Sequence, residues 1–134
     1  MRWLIVAAGA LLVLTTPPAQ AQNRPELDGR TQLEINAQAG QRFRMADDQL
    51  NAAYAKLMAT ASPDGRERLR AAQRAWVAFR DLDCEARAGS RGGSFHSAAV
   101  LLCREALTDE RTRTLKHELA CEEGDLGCGG ISKP

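Results

Sequence analysis

Hydrophobic residues recur at steps of three and four along most of this chain, the spacing that places them on one side of an α-helix. The first such stripe lies between Ile35 and Leu57 and comprises Ile35, Ala39, Phe43, Ala46, Leu50, Ala53 and Leu57. Thr31 and Glu34 precede it with the spacing of a capping box, which is typical of a helix start. We therefore predict a long first helix that begins after Thr31.

A second helix is predicted from about Pro63 to Ala88. Ser62 is suited to cap it, Pro63 fits a first helical turn, and Gly89 is a suitable stop. Its apolar stripe consists of Leu69, Ala72, Trp76 and Phe79.

The glycine-rich segment from Gly89 to Ser94 is predicted as a loop inside the folded region. A third helix is expected to start near Phe95 to Ser97 and to carry Val100, Leu101, Cys103 and Ala106. Thr108 is placed to cap a fourth helix, with Leu115 and Leu119 facing inward, unless the two helices are continuous. Since no strand-like alternation is visible, we predict an all-α bundle of three to four helices.

The first 21 residues have the organisation of a secretory signal peptide. Arg2 gives a positive start, an apolar run extends from Leu4 to Leu14, and Ala19-Gln20-Ala21 forms a cleavage motif. This run is shorter than the roughly 20 residues that a membrane-spanning helix needs, which makes a membrane anchor the weaker interpretation. We predict cleavage after Ala21, a periplasmic or secreted product with no stable membrane insertion, and a flexible lead-in over residues 22–30.

The charge balance excludes some classes of function. The chain has 18 Lys+Arg against 17 Asp+Glu, a formal net charge of +1. A general nucleic-acid binder needs a strong basic excess, so no nucleic-acid partner is predicted, and neither is a cofactor. We expect a helical domain over residues 31–120 and an acidic tail over 121–134 that a disulfide closes, with a frayed end from residue 129 onward.

The cysteines indicate disulfides rather than a metal site. They are Cys84, Cys103, Cys121 and Cys128, an even number in a chain predicted to be exported. Zinc is disfavoured because the chain has no C-x-x-C and its two histidines lack helical spacing. Three pairings are open, and the simplest joins neighbours: Cys84 to Cys103 and Cys121 to Cys128.

The densest motif lies on the second helix, where Gln73, Trp76, Arg80 and Cys84 fall on one side. A charge near a core needs a partner. Asp47, Asn51 and Tyr54 form a second polar cluster at helical spacing on the first helix, so we predict that Asp47 or Asn51 contacts Arg80. A structural network and a ligand-binding groove both remain open, although a charge-assisted Arg–Asp pair needs no ligand.

These residues belong to a pattern that extends over roughly residues 31–128. It comprises Ala46, Asp47, Leu50, Asn51 and Tyr54, then Gln73, Arg74, Ala75, Trp76, Phe79, Arg80, Asp81 and Cys84, then Gly92, Gly93, Ser94, Cys103, Leu107, Thr108 and Arg111, and the cysteine-flanked acidic tail. The pattern resembles the LprI-like lysozyme inhibitor family of exported bacterial proteins. Members often have a cysteine where this chain has Gln38, so a third disulfide is not available here. The resemblance implies a secreted, disulfide-bearing domain and supplies no catalytic residues.

The favoured function is a protein-binding module that inhibits lysozyme or a related cell-wall hydrolase. The candidate partner-binding residues lie in the loop from Ser90 to His96 and are Gly92, Gly93, Ser94 and His96. The acidic residues Glu118, Glu122, Glu123 and Asp125 are suited to guide encounter with a basic enzyme. The alternative interpretation of the loop is a plain turn with Ser94 as a helix cap. The alternative interpretation of the acidic tail is a solvated chain end.

The alternative function is a non-catalytic structural or stress-related envelope protein with an unspecified partner. An enzyme is the third hypothesis, with His96, His117, Glu105 and Glu118 as candidate groups. No nucleophile with an oriented base is recognisable among them, and a cysteine in a disulfide cannot serve as a thiolate. We therefore predict no enzymatic activity and no catalytic or metal-binding residues.

Overall fold

A computed structural model describes residues 31–122, 128, 130 and 131, and its helices follow one another without a strand in this part of the chain. They are α1 (Gln32–Thr60), α2 (Pro63–Arg87) and α3 (His96–Leu119). The most extensive packing is between α1 and α3, and α2 also packs against α3, whereas α1 and α2 approach each other closely at few points. The predicted all-α bundle is confirmed, with three helices. The predicted signal peptide and the lead-in lie outside the described residues.

The helix starts and stops follow the chemistry of their terminal residues. The Thr31 hydroxyl accepts a hydrogen bond from the Glu34 amide, and the Thr31 amide donates to the Glu34 carboxylate, which completes the capping box. Ser62 caps α2 by accepting from the Gly65 amide at 3.0 Å. Gly89 follows α2 with a φ of 77°, a conformation that glycine adopts without a steric penalty. These predicted boundaries are confirmed.

The last part of the bundle differs from the sequence prediction. α3 runs without a break through Thr108, so the prediction that Thr108 caps a fourth helix is wrong. No Gly or Pro interrupts this stretch, and the buried Thr108 hydroxyl bonds to Arg80 instead. The interpretation of Ser94 as a cap is also wrong, because Phe95 occupies the N-cap position of α3 and makes no side-chain cap hydrogen bond.

The core lies where α1 faces the other two helices. It consists of Leu50, Ala53 and Leu57 from α1, Leu69 from α2 and Leu115 from α3, with Tyr54, Met58, Trp76, Leu119 and Ile131 packed around it. Five of the seven positions predicted for the α1 stripe are buried, and the other two are partly buried. The period of three and four therefore identified the inner side of α1 correctly.

The predicted apolar stripe of α2 is wrong at Phe79 and Ala72. Phe79 is 53% exposed, whereas its neighbour Arg80 is only 6% exposed. One side of α2 is covered neither by α1 nor by α3. That side is almost entirely apolar and comprises Ala71, Ala72, Ala75, Ala78, Phe79, Leu82 and Ala86, all of them exposed. Ala106, one of the residues expected on the third helix, lies on α3 and is exposed.

Part of the C-terminal tail returns to the bundle. The Ser62 amide donates to the carbonyl of Ile131 at 3.3 Å, and Ile131 packs against the core. Gly65 is buried beneath this contact, where a Cβ atom would lie only 2.2 Å from the Ile131 carbonyl oxygen. The expectation of a frayed end is therefore wrong at Ile131. No helix among the described residues is both long and apolar enough to cross a membrane.

Truncating Leu50 should destabilise the protein far more than truncating Leu82. Leu50 is 1% exposed and Leu82 is 73% exposed. We expect Leu50→Ala to lower the free energy of unfolding by about 2–5 kcal/mol through lost burial and the cavity left behind. Leu82→Ala, the matched control, should change it by less than about 0.5 kcal/mol. Urea unfolding followed by circular dichroism measures both, and equal losses would contradict the assigned core.

Candidate functional site

The side chain of Arg80 connects all three helices. Its Nη1 lies 3.0 Å from Asp47 Oδ1 on α1 and 3.2 Å from Thr108 Oγ1 on α3. Its Nε donates to Asp81 Oδ1 on α2 at 3.0 Å. Since the Arg80 side chain is only 7% exposed, these acceptors replace much of the water that the charge would otherwise bind. The predicted contact between Asp47 and Arg80 is therefore present.

Two aromatic rings lie against the same guanidinium. The Cζ atom of Arg80 lies 5.1 Å from the centre of the Phe43 ring and 5.3 Å from that of Trp76. An arginine can stack on aromatic faces while its planar fork donates hydrogen bonds at the edge, which a lysine cannot do equally well. The sequence predicted Phe43 as an apolar core residue and gave no sign of this second role.

The disulfides form between neighbouring cysteines, as the simplest pairing predicted. Cys84, one turn after Arg80, is bonded to Cys103 and so links α2 to α3. Cys121 is bonded to Cys128 across the start of the tail, whose residues 123–127 lie outside the described part. The first bond closes a loop of about 20 residues, for which the chain-entropy estimate is about 3 kcal/mol of stabilisation.

A second charge network joins the C-terminal part of α2 to the N-terminal half of α3. Arg104 Nε lies 3.3 Å from Asp81 Oδ1, and Arg104 Nη2 lies 3.7 Å from Glu85 Oε1. The other oxygen of Glu85 lies 3.3 Å from Nε2 of His96, whose side chain is 13% exposed. Sequence analysis missed Arg104 and Glu85, because their proximity depends on how α2 and α3 pack. The spacing of Asp81 and Glu85, one turn apart, was the only available signal.

The predicted polar cluster of α1 faces part of the α2 motif across an open groove of about 410 Å³. The lining residues are Asp47, Leu50, Asn51, Tyr54, Arg70, Gln73, Arg74, Val77 and Arg80. Asn51 Nδ2 donates to Asp47 Oδ2 at 3.2 Å. The sequence left two interpretations of this motif open, a structural hydrogen-bond network and a groove. The structure contains both a network and a groove, and the network forms one side of the groove.

Arg111 supports the α2 side of the groove from α3. Its Nε donates to Gln73 Oε1 at 3.1 Å, and its Cζ lies 5.9 Å from the centre of the Trp76 ring. Burial lowers the pKa of the Arg111 guanidinium from its ordinary value, and the negative charge of Glu118 opposes that shift. Arg111 thus fixes one end of the Gln73 carboxamide.

The loop between α2 and α3 projects into solvent. Gly92, Gly93 and Ser94 are exposed, and so is Phe95, at 51%. The Gly93 amide donates to the Ser90 carbonyl at 3.0 Å, and the His96 amide donates to the Gly93 carbonyl at 3.1 Å. Three of the four candidate partner-binding residues therefore lie at the surface, while His96 is turned toward Glu85.

The remaining candidate catalytic groups are not assembled into one site. Glu105 pairs with Arg42 at 2.9 Å, and His96 pairs with Glu85. His117 is exposed, and Glu118 is partly buried with its charge acting on Arg111. Within the described residues, no group of three or more His, Cys, Asp or Glu side chains is placed to hold a metal ion.

Comparison with known proteins assigns the family. Residues 24–115 match the family described as lysozyme inhibitor LprI. The chain belongs to the LprI family. An uncharacterized protein of Rhizobium meliloti (strain 1021) is 36% identical to this LprI family member over 131 residues, covering 85% of this chain and 94% of the relative. No solved structure matches it. The family and the two disulfides fit an exported protein.

Removing Arg80 should destabilise this LprI family member. Arg80→Ala deletes three hydrogen bonds and the packing between two rings, and it leaves Asp47 and Asp81 without their shared cation. We expect a loss of about 3 kcal/mol in the free energy of unfolding. Chemical denaturation of the oxidised protein measures it.

Arg68→Ala is the matched control for Arg80→Ala. Arg68 pairs with Asp64 one turn away on α2, but the two side chains are 62% and 77% exposed. Such a pair contributes little, so we expect a change below about 0.5 kcal/mol. Similar effects of the two substitutions would show that Arg80 does not hold the helices together.

Proposed function

We propose that this protein is an exported inhibitor of lysozyme or a related cell-wall hydrolase, and that it acts by binding the enzyme. The observation that carries the proposal is the match of residues 24–115 to a family described as lysozyme inhibitor LprI. The network around Arg80 supports the proposal, because Asp47, Arg80 and Thr108 join the helices to one another. Binding then depends on what the scaffold displays at its surface.

The loop from Ser90 to Phe95 is the proposed contact surface. It is exposed throughout, and its turn is defined by one backbone hydrogen bond within the loop, from Gly93 to Ser90, and one from the following His96 amide to Gly93. The disulfide between Cys84 and Cys103 restrains the helices on either side. A loop ordered before binding loses less conformational entropy on association, which favours affinity.

The chemistry of the loop suits the cleft of a lysozyme. Such an enzyme works through paired carboxylates in a cleft. Arg91 and Ser94 are both exposed and provide a guanidinium and a hydroxyl, which are hydrogen-bond donors for a carboxylate. Of the four acidic residues proposed to guide encounter, Glu122 is exposed and Glu118 is partly buried, while Glu123 and Asp125 lie outside the described residues.

A second candidate function is a non-catalytic envelope protein that binds another protein through α2. The exposed apolar side of that helix, with Phe79 and Leu82 as its largest members, favours this alternative. Contiguous exposed apolar surface is more typical of an interaction site than of a solvated helix. Failure of the inhibition experiment below would leave this alternative standing.

We further propose that residues 1–21 are a cleaved signal peptide and that the mature chain begins at Gln22. A bacterial host that makes the full chain should export a protein whose intact mass begins at Gln22. Ala21→Arg removes the small residue at the cleavage point and should leave the precursor uncut. An exported protein that keeps residues 1–21 would contradict the proposal.

The oxidised mature protein should slow lysozyme on cell walls as its concentration is raised. Gly92→Glu should weaken this inhibition by about tenfold, about 1.4 kcal/mol, because it places a negative charge beside Arg91, where the carboxylates of the enzyme are proposed to bind. The fold should tolerate it, since a Cβ at Gly92 would meet nothing closer than Ser90 Oγ at 4.0 Å. Turbidity of a cell-wall suspension gives the rate.

Ala55→Glu is the control for Gly92→Glu, because it adds the same side chain at an exposed position of α1. It should inhibit like the parent protein, and both variants should keep the parent melting temperature. Equal inhibition by Gly92→Glu and the parent would exclude the loop as the contact. An inactive parent at micromolar excess would exclude lysozyme as the partner.

A further inference from the structure

The groove between α1 and α2 displays two carboxamides whose orientation is chemically determined. An arginine can only donate hydrogen bonds, so Gln73 must present Oε1 to Arg111 and keep Nε2 free as a donor. An ionised carboxylate can only accept, so Asn51 must present Nδ2 to Asp47 and keep Oδ1 free as an acceptor. Both residues line the groove, from opposite sides.

The free ends of these carboxamides complement a secondary amide. Among the described residues, none accepts from Gln73 Nε2 and none donates to Asn51 Oδ1. A secondary amide carries one N–H and one C=O, so it can donate to Asn51 and accept from Gln73. The volume of about 410 Å³ lies within the usual range for a small-molecule site.

The positive charge on the lining of the groove favours an anionic ligand. Arg70 and Arg74 stand one helical turn apart on the lining, both exposed, and neither forms an ion pair with a described residue. The one carboxylate of the lining, Asp47, is already paired with Arg80. Arginines bind carboxylates through paired, charge-assisted hydrogen bonds.

We propose that this groove binds a small ligand in which a secondary amide stands beside a carboxylate. Short acidic peptides have this chemistry, and so do the acidic peptide stems that N-acetylated sugars of the cell wall carry. Tyr54, Leu50 and Val77 provide an apolar surface for the rest of the ligand. The groove is separate from the proposed contact loop, because no residue of that loop lines it and Arg80, the lining residue nearest to the loop in sequence, lies seven residues before the end of α2, about 10 Å.

Titration of the ¹⁵N-labelled, oxidised mature protein tests the proposal. The probes are N-acetyl-L-alanyl-D-glutamate and the same peptide attached to N-acetylmuramic acid. We expect saturable shifts of the side-chain amide signals of Asn51 and Gln73. If both probes bind, the acidic peptide alone is sufficient for recognition. If only the muramoyl form binds, the ligand of the groove is a cell-wall fragment. Di-N-acetylchitobiose, which has amides but no carboxylate, should cause no saturable shift.

The double variant Arg70→Gln/Arg74→Gln should weaken binding by at least about tenfold, because two charged donors are lost. Arg66→Gln/Arg113→Gln is the matched control, since both arginines are exposed and neither lines the groove. Gln73→Glu keeps the contact to Arg111 but replaces the free Nε2 donor with a negative charge. It should therefore weaken binding as well. Isothermal titration calorimetry measures the affinities.

Three results would overturn the proposal. They are the absence of saturable binding of either probe at millimolar concentration, equal affinity of the Arg70→Gln/Arg74→Gln variant and the parent, and equal binding of chitobiose. None of these results depends on whether the protein inhibits lysozyme.

Discussion

A buried guanidinium with partners on every helix is the constraint on which this bundle depends. Within the described residues, Arg80 is the one charged side chain that is almost completely buried. Transfer of a charge from water into a protein is costly unless hydrogen bonds and opposite charges replace the lost hydration. Asp47, Asp81 and Thr108 do so from three separate helices, so they can act together only when those helices have their native arrangement.

This requirement explains how the rotation of α2 about its own axis is determined. α2 covers the core mainly through Leu69 and Trp76, and much of its other side is apolar but exposed. Hydrophobic burial is not directional, and it would tolerate a rotation of α2 that buried Phe79 instead. Such a rotation would turn Arg80 away from Asp47, and it would also displace Cys84 from Cys103. Polar and covalent contacts therefore determine the rotation of α2.

The sequence predicted the local features and one contact between helices, and it missed most of what depends on packing. The capping box at Thr31, the turn at Ser62 and the stop at Gly89 are determined by neighbouring residues, and the structure has all three. The Asp47–Arg80 contact was predictable because an inward-facing arginine at helical spacing needs an acceptor.

The errors have one physical origin in common. An apolar residue such as Phe79 was assumed to be buried, yet neither α1 nor α3 covers its side of α2. Thr108 was assigned as a cap from its residue type, whereas its hydroxyl is bound to a partner 28 positions earlier in the chain. The network of Arg104, Glu85 and His96 was missed for the same reason.

Asp47 links the structural network to the candidate groove. One of its oxygens binds Arg80 and the other binds the Asn51 carboxamide, so the residue that helps to hold the helices together also orients a group on the groove surface. Loss of function on changing Asp47 would therefore not distinguish a ligand site from a destabilised scaffold. Arg70 and Arg74 can make that distinction, because they line the groove without contributing to the core. A substitution at Gly92 tests the loop at the far end of α2 in the same way, because a side chain there meets no close neighbour. The groove and the loop can therefore be tested separately on one intact scaffold.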